Sequence, residues 1–275
     1  MADYQPKGQM ETIHGRQTYV ARPTGQPKGI AIIIPDAFGL PFINNKHLAD
    51  RYASDGEFLT YLPDFMDGRP APVWMLSVFP EVMNTSSIWN WIVKPYYVAQ
   101  AMYGFIPFIY YNGFGKSMPK VASFFEAVRD NEGANLGIGC AGFCWGGQHT
   151  FALASGEYKA KKSGKPLCDA HFTAHASNVK IPDDAKKVTM PLSLAQGTED
   201  AVMTTAQAQE VEAILRDKAE KIGLKHSEVV YYEGAAHGFG VRADAVWGNT
   251  KSKEHAEASI KQAIDFYNRV FADLK

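Results

Sequence analysis

Several things are scarce in this chain of 275 residues, and each scarcity closes a possibility. Charge of one sign is missing: 28 basic residues face 29 acidic ones, with no long run of either. A nucleic-acid or anionic-membrane surface as the main partner is therefore not expected. There are three cysteines, Cys140, Cys144 and Cys168, too few and too irregularly spaced for a disulfide framework. The opening MADYQPKGQMETIHG is polar and lacks the charged-then-apolar order of a secretory leader. A reducing, cytoplasmic setting is the expectation, one in which a thiol stays free. No glycine-rich nucleotide loop and no spaced metal-ligand set is present, so no cofactor and no metal are expected. Internal repeats and low-complexity tracts are absent as well.

Charge is locally missing too. Residues 95–115, PYYVAQAMYGFIPFIYYNGFG, contain no ionisable acid or base except tyrosine. The length suffices for a membrane span, but Gln100, Pro107, Asn112 and the glycines break an apolar helix. No span is expected; a buried or pocket-lining segment is, with interfacial contact as the lesser alternative.

What is present is an alternation. Short β-rich apolar runs such as GIAIIIPD (29–36) recur near Phe58, Leu136, Ala170, Leu192 and Val229. Between them lie helix-like stretches at 44–54, 118–130, 146–155, 204–222 and 253–272. The last carries apolar residues at Ala256, Ile260, Ala263, Ile264, Tyr267 and Phe271, close to a helical period. This order predicts one α/β domain over 1–275, a mostly parallel sheet with helices on its faces. Residues 70–115 break the alternation and are dense in aromatics, Trp89 and Tyr97 among them. A long stretch without regular alternation reads as a lid or pocket wall.

The chemistry centres on GCAGFCWGGQ (139–148). A strand running into glycine, nucleophile and glycine makes a tight turn that presents the central side chain at the sheet edge. Here that side chain is the Cys144 thiol. The following helix aims its positive end at Cys144, and the N–H of Trp145 becomes one donor to a developing oxyanion. A small buried hydrophobe is the bland alternative for a free cysteine. It suits Cys140 and Cys168 better than a thiol framed by glycines. Downstream, LAQGTEDAVM ends a strand at Asp200, and VVYYEGAAHGFGVR presents His237 in a glycine-rich loop. Nucleophile, acid and base in that order, each at a strand end, form the expected triad. Glu199, next to Asp200, could exchange roles with it. His171 and His175 lie on a predicted strand with no third ligand; His171 reads as structural, and His175 as a group able to approach the Cys144 turn.

PDAFGL, ADRYASDGEFLTYLPDF, GFCWGG, GTEDAV and AHGFGVR together resemble the dienelactone hydrolase family of the α/β-hydrolase superfamily, its eukaryotic branch in particular. The resemblance implies an α/β-hydrolase fold with an aromatic-rich, lid-like insertion, a small-molecule lactone or ester substrate, and Cys144, His237 and Asp200 as catalytic residues. It further implies that Asp36 contacts the resting thiol, where the family commonly carries glutamate. By the same analogy the Ala37 N–H is the second oxyanion donor and Arg242 grips a substrate carboxylate. Trp89, Tyr97 and His175 complete the expected substrate-binding set. The expected activity is opening of a lactone or activated enol ester through a cysteine acyl-enzyme. Acyl-transfer cyclisation and a non-catalytic ligand-binding protein are the alternatives. The oligomeric state is left open.

Overall fold

A computed structural model describes residues 4–83, 88–243 and 250–274. Among these residues eight strands form one sheet in the order β1-β2-β4-β3-β5-β6-β7-β8. Its centre is β3 (Gly29–Ile34), whose side chains are wholly buried, as a continuous Ile-rich run requires. Around it pair β4 (Phe58–Pro63) and β5 (Ile138–Phe143), then β6 (Ala170–Ala174), β7 (Leu192–Gly197) and β8 (Glu228–Tyr232), all parallel. The strands expected from the sequence are all there.

Two further strands are not in that expectation. β1 (Gln9–Ile13) and β2 (Arg16–Ala21) form an antiparallel hairpin that closes one edge of the sheet. Its turn is His14-Gly15, both at positive φ, the conformation a two-residue hairpin needs. A single Gly in a polar stretch is a weak signal, and the hairpin gains its support from pairing with β4.

The helices cover both faces, and the glycines of β5 show how closely. Opposite faces alternate along a strand. A Cβ on Gly139 would meet Tyr267 of α9 (Thr250–Ala272) at 2.8 Å. One on Gly142, three residues on and facing the other way, would meet Thr150 of α5 (Trp145–Leu153) at 2.0 Å. Tyr267 also donates its hydroxyl to the Cys140 carbonyl at 2.7 Å. The remaining main helices are α1 (Ile43–Gly56), α4 (Phe114–Asp130), the short α6 (Asp183–Lys187), α7 (Thr205–Ile222) and the short α8 (Phe239–Arg242).

The 70–115 segment, where the alternation broke and a lid or pocket wall was expected, is largely helical among its described residues: α2 (Met75–Met83) and α3 (Ile88–Asn112), with Pro95 and Pro107 inside the latter. The two helices touch so closely that a Cβ on Gly104 would sit 2.4 Å from the Met75 sulfur. Phe105 and Phe108 continue that inward stripe as far as the Trp145 ring, whose centroid is 6.3 Å from that of Phe108. No period was legible because α3 is apolar on its outer side as well. Among the described residues, no helix is long and apolar enough to cross a membrane.

Candidate active site

The site lies at the carboxyl ends of β3, β5, β6, β7 and β8. Cys144 follows β5 directly and has φ 50° and ψ −108°, a strained backbone for any residue with a side chain. The surroundings leave it no alternative. A Cβ at Gly146 would fall 2.1 Å from the Ile34 carbonyl oxygen, and one at Gly147 2.5 Å from the Ala176 Cβ. Only glycine at both positions lets α5 start against β3 and the loop after β6. The Cys144 carbonyl is held by the N–H groups of Gly147 at 2.9 Å and Ser177 at 3.0 Å.

The loops after β7 and β8 are stapled together. Thr198 Oγ1 accepts from the Gly234 N–H at 2.8 Å, and the Glu199 N–H donates to the Ala235 carbonyl at 3.0 Å. This brings Asp200 to His237: Nδ1 lies 3.0 Å from Oδ2 and 3.1 Å from Oδ1. The Val202 and Met203 N–H groups donate to Asp200 Oδ1, so the carboxylate cannot swing away. Asp200, not Glu199, takes this place. His237 Nε2 sits 3.2 Å from the Cys144 sulfur. Thiol, imidazole and carboxylate form one continuous chain across ninety-three residues of sequence.

Electrostatics set the protonation states. Burial alone would raise the Cys144 pKa, but the Arg242 guanidinium and then His237 outweigh it and bring it down to about 6. For His237, burial works toward the neutral form; the thiolate and Asp200 overcome it and lift the pKa to about 9. Near neutrality the pair is a thiolate beside an imidazolium.

Asp36 and Arg242 differ from the sequence expectation. Asp36 does not touch the thiol; its Oδ2 accepts from Arg242 Nε at 2.7 Å, and its Oδ1 from the Phe38 N–H and Asn45 Nδ2. The Arg242 guanidinium interacts with the sulfur instead; burial acts to lower its pKa, and Asp36 and Cys144 outweigh that and raise it. Arg242 is thus buried in a structural ion pair rather than standing free for a substrate carboxylate.

Ala37 follows Asp36, and Trp145 opens α5. Neither backbone N–H has a backbone acceptor among the described residues, and both lie at the turns that flank the thiol. The Trp145 side chain is fixed by donation from Nε1 to the Asn112 carbonyl at 2.9 Å and by the His149 ring at 4.3 Å. His149 accepts from Ser117 while donating to the Trp145 carbonyl, and burial lowers its pKa to about 4.

His175 does reach the site. It is fully buried at φ 41°, its ring edge-on to His237 with centroids 5.2 Å apart. Among the described residues both ring nitrogens lack a hydrogen-bond partner, and burial, His237 and Arg242 keep it neutral. His171 is structural, bonded to Cys168 and the Pro191 carbonyl. Trp89 and Tyr97 are not brought to the thiol. They lie on α3, about 34 and 22 Å along the axis from Asn112, the residue of that helix that meets Trp145.

Three neighbours went unforeseen. Ser177 Oγ is 3.7 Å from the Cys144 sulfur. Asn45 ties Asp36 to the Gly39 carbonyl, and Asn44 holds the Val241 carbonyl next to Arg242. No spacing in the sequence marks them.

The family profile that matches, dienelactone hydrolase family, spans residues 17–271. The chain belongs to the dienelactone hydrolase family. It is 25% identical over 264 residues to the hydrolase pyvD of Aspergillus violaceofuscus, covering 96% of this chain and 90% of the relative. A carboxymethylenebutenolidase homolog of Rattus norvegicus is 23% identical over 271 residues, covering 97% and 93%. A solved Klebsiella pneumoniae protein assigned as a dienelactone hydrolase superposes with a TM-score of 0.63 at 18% identity, covering 95% of this chain and 97% of its own. The α/β-hydrolase fold and the hydrolase class of this enzyme follow from these matches together.

Proposed function

We propose that this family member hydrolyses a lactone or an activated, enol-type ester through an acyl intermediate on Cys144. The observation that carries the reading is the unbroken chain from Cys144 Sγ to His237 at 3.2 Å and on to Asp200 at 3.0 Å. A binding protein has no need of a pre-ionised nucleophile backed by a base and a buried carboxylate.

The thiolate adds to the carbonyl carbon, and the oxyanion that forms is received by the N–H groups of Ala37 and Trp145. The carbon–oxygen bond breaks as the His237 imidazolium gives its Nε2 proton to the leaving oxygen. In a lactone that oxygen stays attached to the acyl group as an enol or alcohol. Neutral His237 then takes a proton from water, whose oxygen adds to the thioester carbonyl. The sulfur departs as thiolate and the imidazolium is restored. Asp200 keeps the Nδ1 proton in place throughout and stabilises the cation.

A thiolate that exists near neutral pH suits acyl groups with a good leaving oxygen, since it gains nothing from a strong base at the outset. The rat relative's name contains a butenolide, an unsaturated lactone, in keeping with that class. The test is turnover of enol lactones beside p-nitrophenyl esters of increasing size by wild type and Cys144→Ala, with intact-mass detection of the acyl adduct. Turnover lost in the alanine variant, with a transient adduct on Cys144 in wild type, is the expected result. Equal background rates for both proteins sink the reading.

A further inference from the structure

Helix α3 is built the reverse of an ordinary surface helix. Its inward stripe is narrow, formed by Ala101, Gly104, Phe105 and Phe108 against α2 and Trp145. The rest faces out and is almost entirely apolar or aromatic: Tyr103 is 79% exposed, Trp89 70%, Tyr110 64% and Ile92 61%. At 3.6 residues per turn this outward arc, from Val98 and Ile109 round to Val93 and Tyr111, covers about 220° of the circumference. Water is a poor solvent for such a face, and an unbroken one marks a contact surface.

The balanced charge of the whole chain spoke against an anionic membrane, but the charge around this one face is one-sided. From Val82 to Phe125 the sequence contains no aspartate or glutamate. Three cations sit on the rim, each over an aromatic ring: Lys94 over Trp91 at 4.8 Å, Lys116 over Tyr110 at 4.0 Å and Arg69 over Tyr111 at 4.1 Å. Among the described residues none of the three is paired with a carboxylate.

The breadth of the arc decides what covers it. A second helix buries only a stripe at two of every seven positions. That stripe exists here, but it would leave Trp91, Met102 and Ile109 bare on one flank and Val93 and Tyr111 on the other. A lipid surface covers the whole arc at once. Tryptophan and tyrosine rings with lysine and arginine at the edge are the groups that settle at headgroup depth.

We propose that α3 docks this protein onto a bilayer surface carrying anionic lipid, the helix lying flat at headgroup depth with its three cations among the lipid phosphates and carboxylates. The bilayer then lies one helix end from the nucleophile turn, because Asn112 at the end of α3 binds the side chain next to Cys144. Docking does not depend on the hydrolase reading, and a Cys144→Ala protein should dock like wild type.

The test is flotation of the full chain with vesicles of equal parts phosphatidylcholine and phosphatidylserine. Wild type and Cys144→Ala are expected to float. Tyr103→Glu combined with Ile106→Glu, two exposed positions where a charge costs the fold little, should stay in the bottom fraction with an unchanged circular-dichroism melt. Lys94→Gln with Lys116→Gln should bind these vesicles roughly 25-fold more weakly, about fivefold per lysine, and show a weaker salt dependence, Arg69 being the cation that remains. Two results overturn the proposal. One is a double glutamate variant that floats like wild type. The other is a wild type that stays at the bottom and sediments as a dimer that Ile106→Glu converts to monomer, which makes α3 a self-association surface instead.

Discussion

Arg242 Nε donates to Asp36 Oδ2 at 2.7 Å, and the same guanidinium is the strongest cation acting on the Cys144 thiol. One side chain thus neutralises a buried acid and favours the ionised form of the Cys144 thiol. Asp36 on its own raises the thiol pKa, so its pairing with Arg242 is what makes the arrangement productive.

Removing that cation should cost both ways. In Arg242→Gln the thiol pKa should move from about 6 back toward its ordinary value near 9. The carboxylate of Asp36 is left buried without a counter-charge, a loss of about 3–5 kcal/mol in stability. The pH dependence of Cys144 alkylation by iodoacetamide, read by intact mass, checks the first effect, and urea denaturation the second. Asp36→Asn in the same chain should recover part of the stability without restoring full thiolate at neutral pH.

The pH profile of kcat/KM should be a bell. Below about pH 6 the thiol is protonated and cannot attack, so the rate rises through that pH. Above about pH 9 His237 has lost the proton it must hand to the leaving oxygen, so the rate falls. The groups facing this pair are Arg242, Asp36, Asp200 and His175, and His175 stays neutral across the range. Asp200→Asn removes a carboxylate that raises the His237 pKa, so the alkaline limb should move to lower pH. The rate itself should fall by roughly 10⁴.

The three thiols should react very differently. Cys168 is pushed up in pKa by burial and bonded to His171, and Cys140 is buried against Thr150. At neutral pH, brief alkylation of the native protein should label Cys144 alone. Peptide mapping that finds Cys140 or Cys168 modified at a comparable rate contradicts the assigned ionisation.

Gly146→Ala should damage the site from the backbone. Its Cβ would overlap the Ile34 carbonyl oxygen at 2.1 Å, so β3 or α5 must shift. Overpacking of this kind costs about 1–3 kcal/mol and should displace the Ala37 and Trp145 N–H groups, the proposed oxyanion donors. Thermal unfolding should show the lost stability, and residual turnover should fall further than the Tm alone explains. Gly164→Ala, where nothing lies within 4 Å but φ is 68°, tests backbone strain without overlap and should leave turnover intact.

Sequence and structure divide the information along physical lines. The parallel strands were legible because a strand covered on both faces needs an unbroken apolar run, as Ile30 to Ile34 show. The elbow was legible because only glycine fits at 142, 146 and 147, and the meeting of Cys144, Asp200 and His237 because each follows a strand of the same sheet. The β1–β2 hairpin and α3 were not. The hairpin exists by pairing with β4, a non-local gain, and α3 lacks the polar face that would have given it a period. Tertiary structure alone decided that Asp36 binds Arg242 rather than the thiol. It also drew Ser177 and Asn45 into the site and left Trp89 far from it. Such contacts join residues far apart in the chain, and their geometry turns on single methylenes and helix ends, which no spacing records.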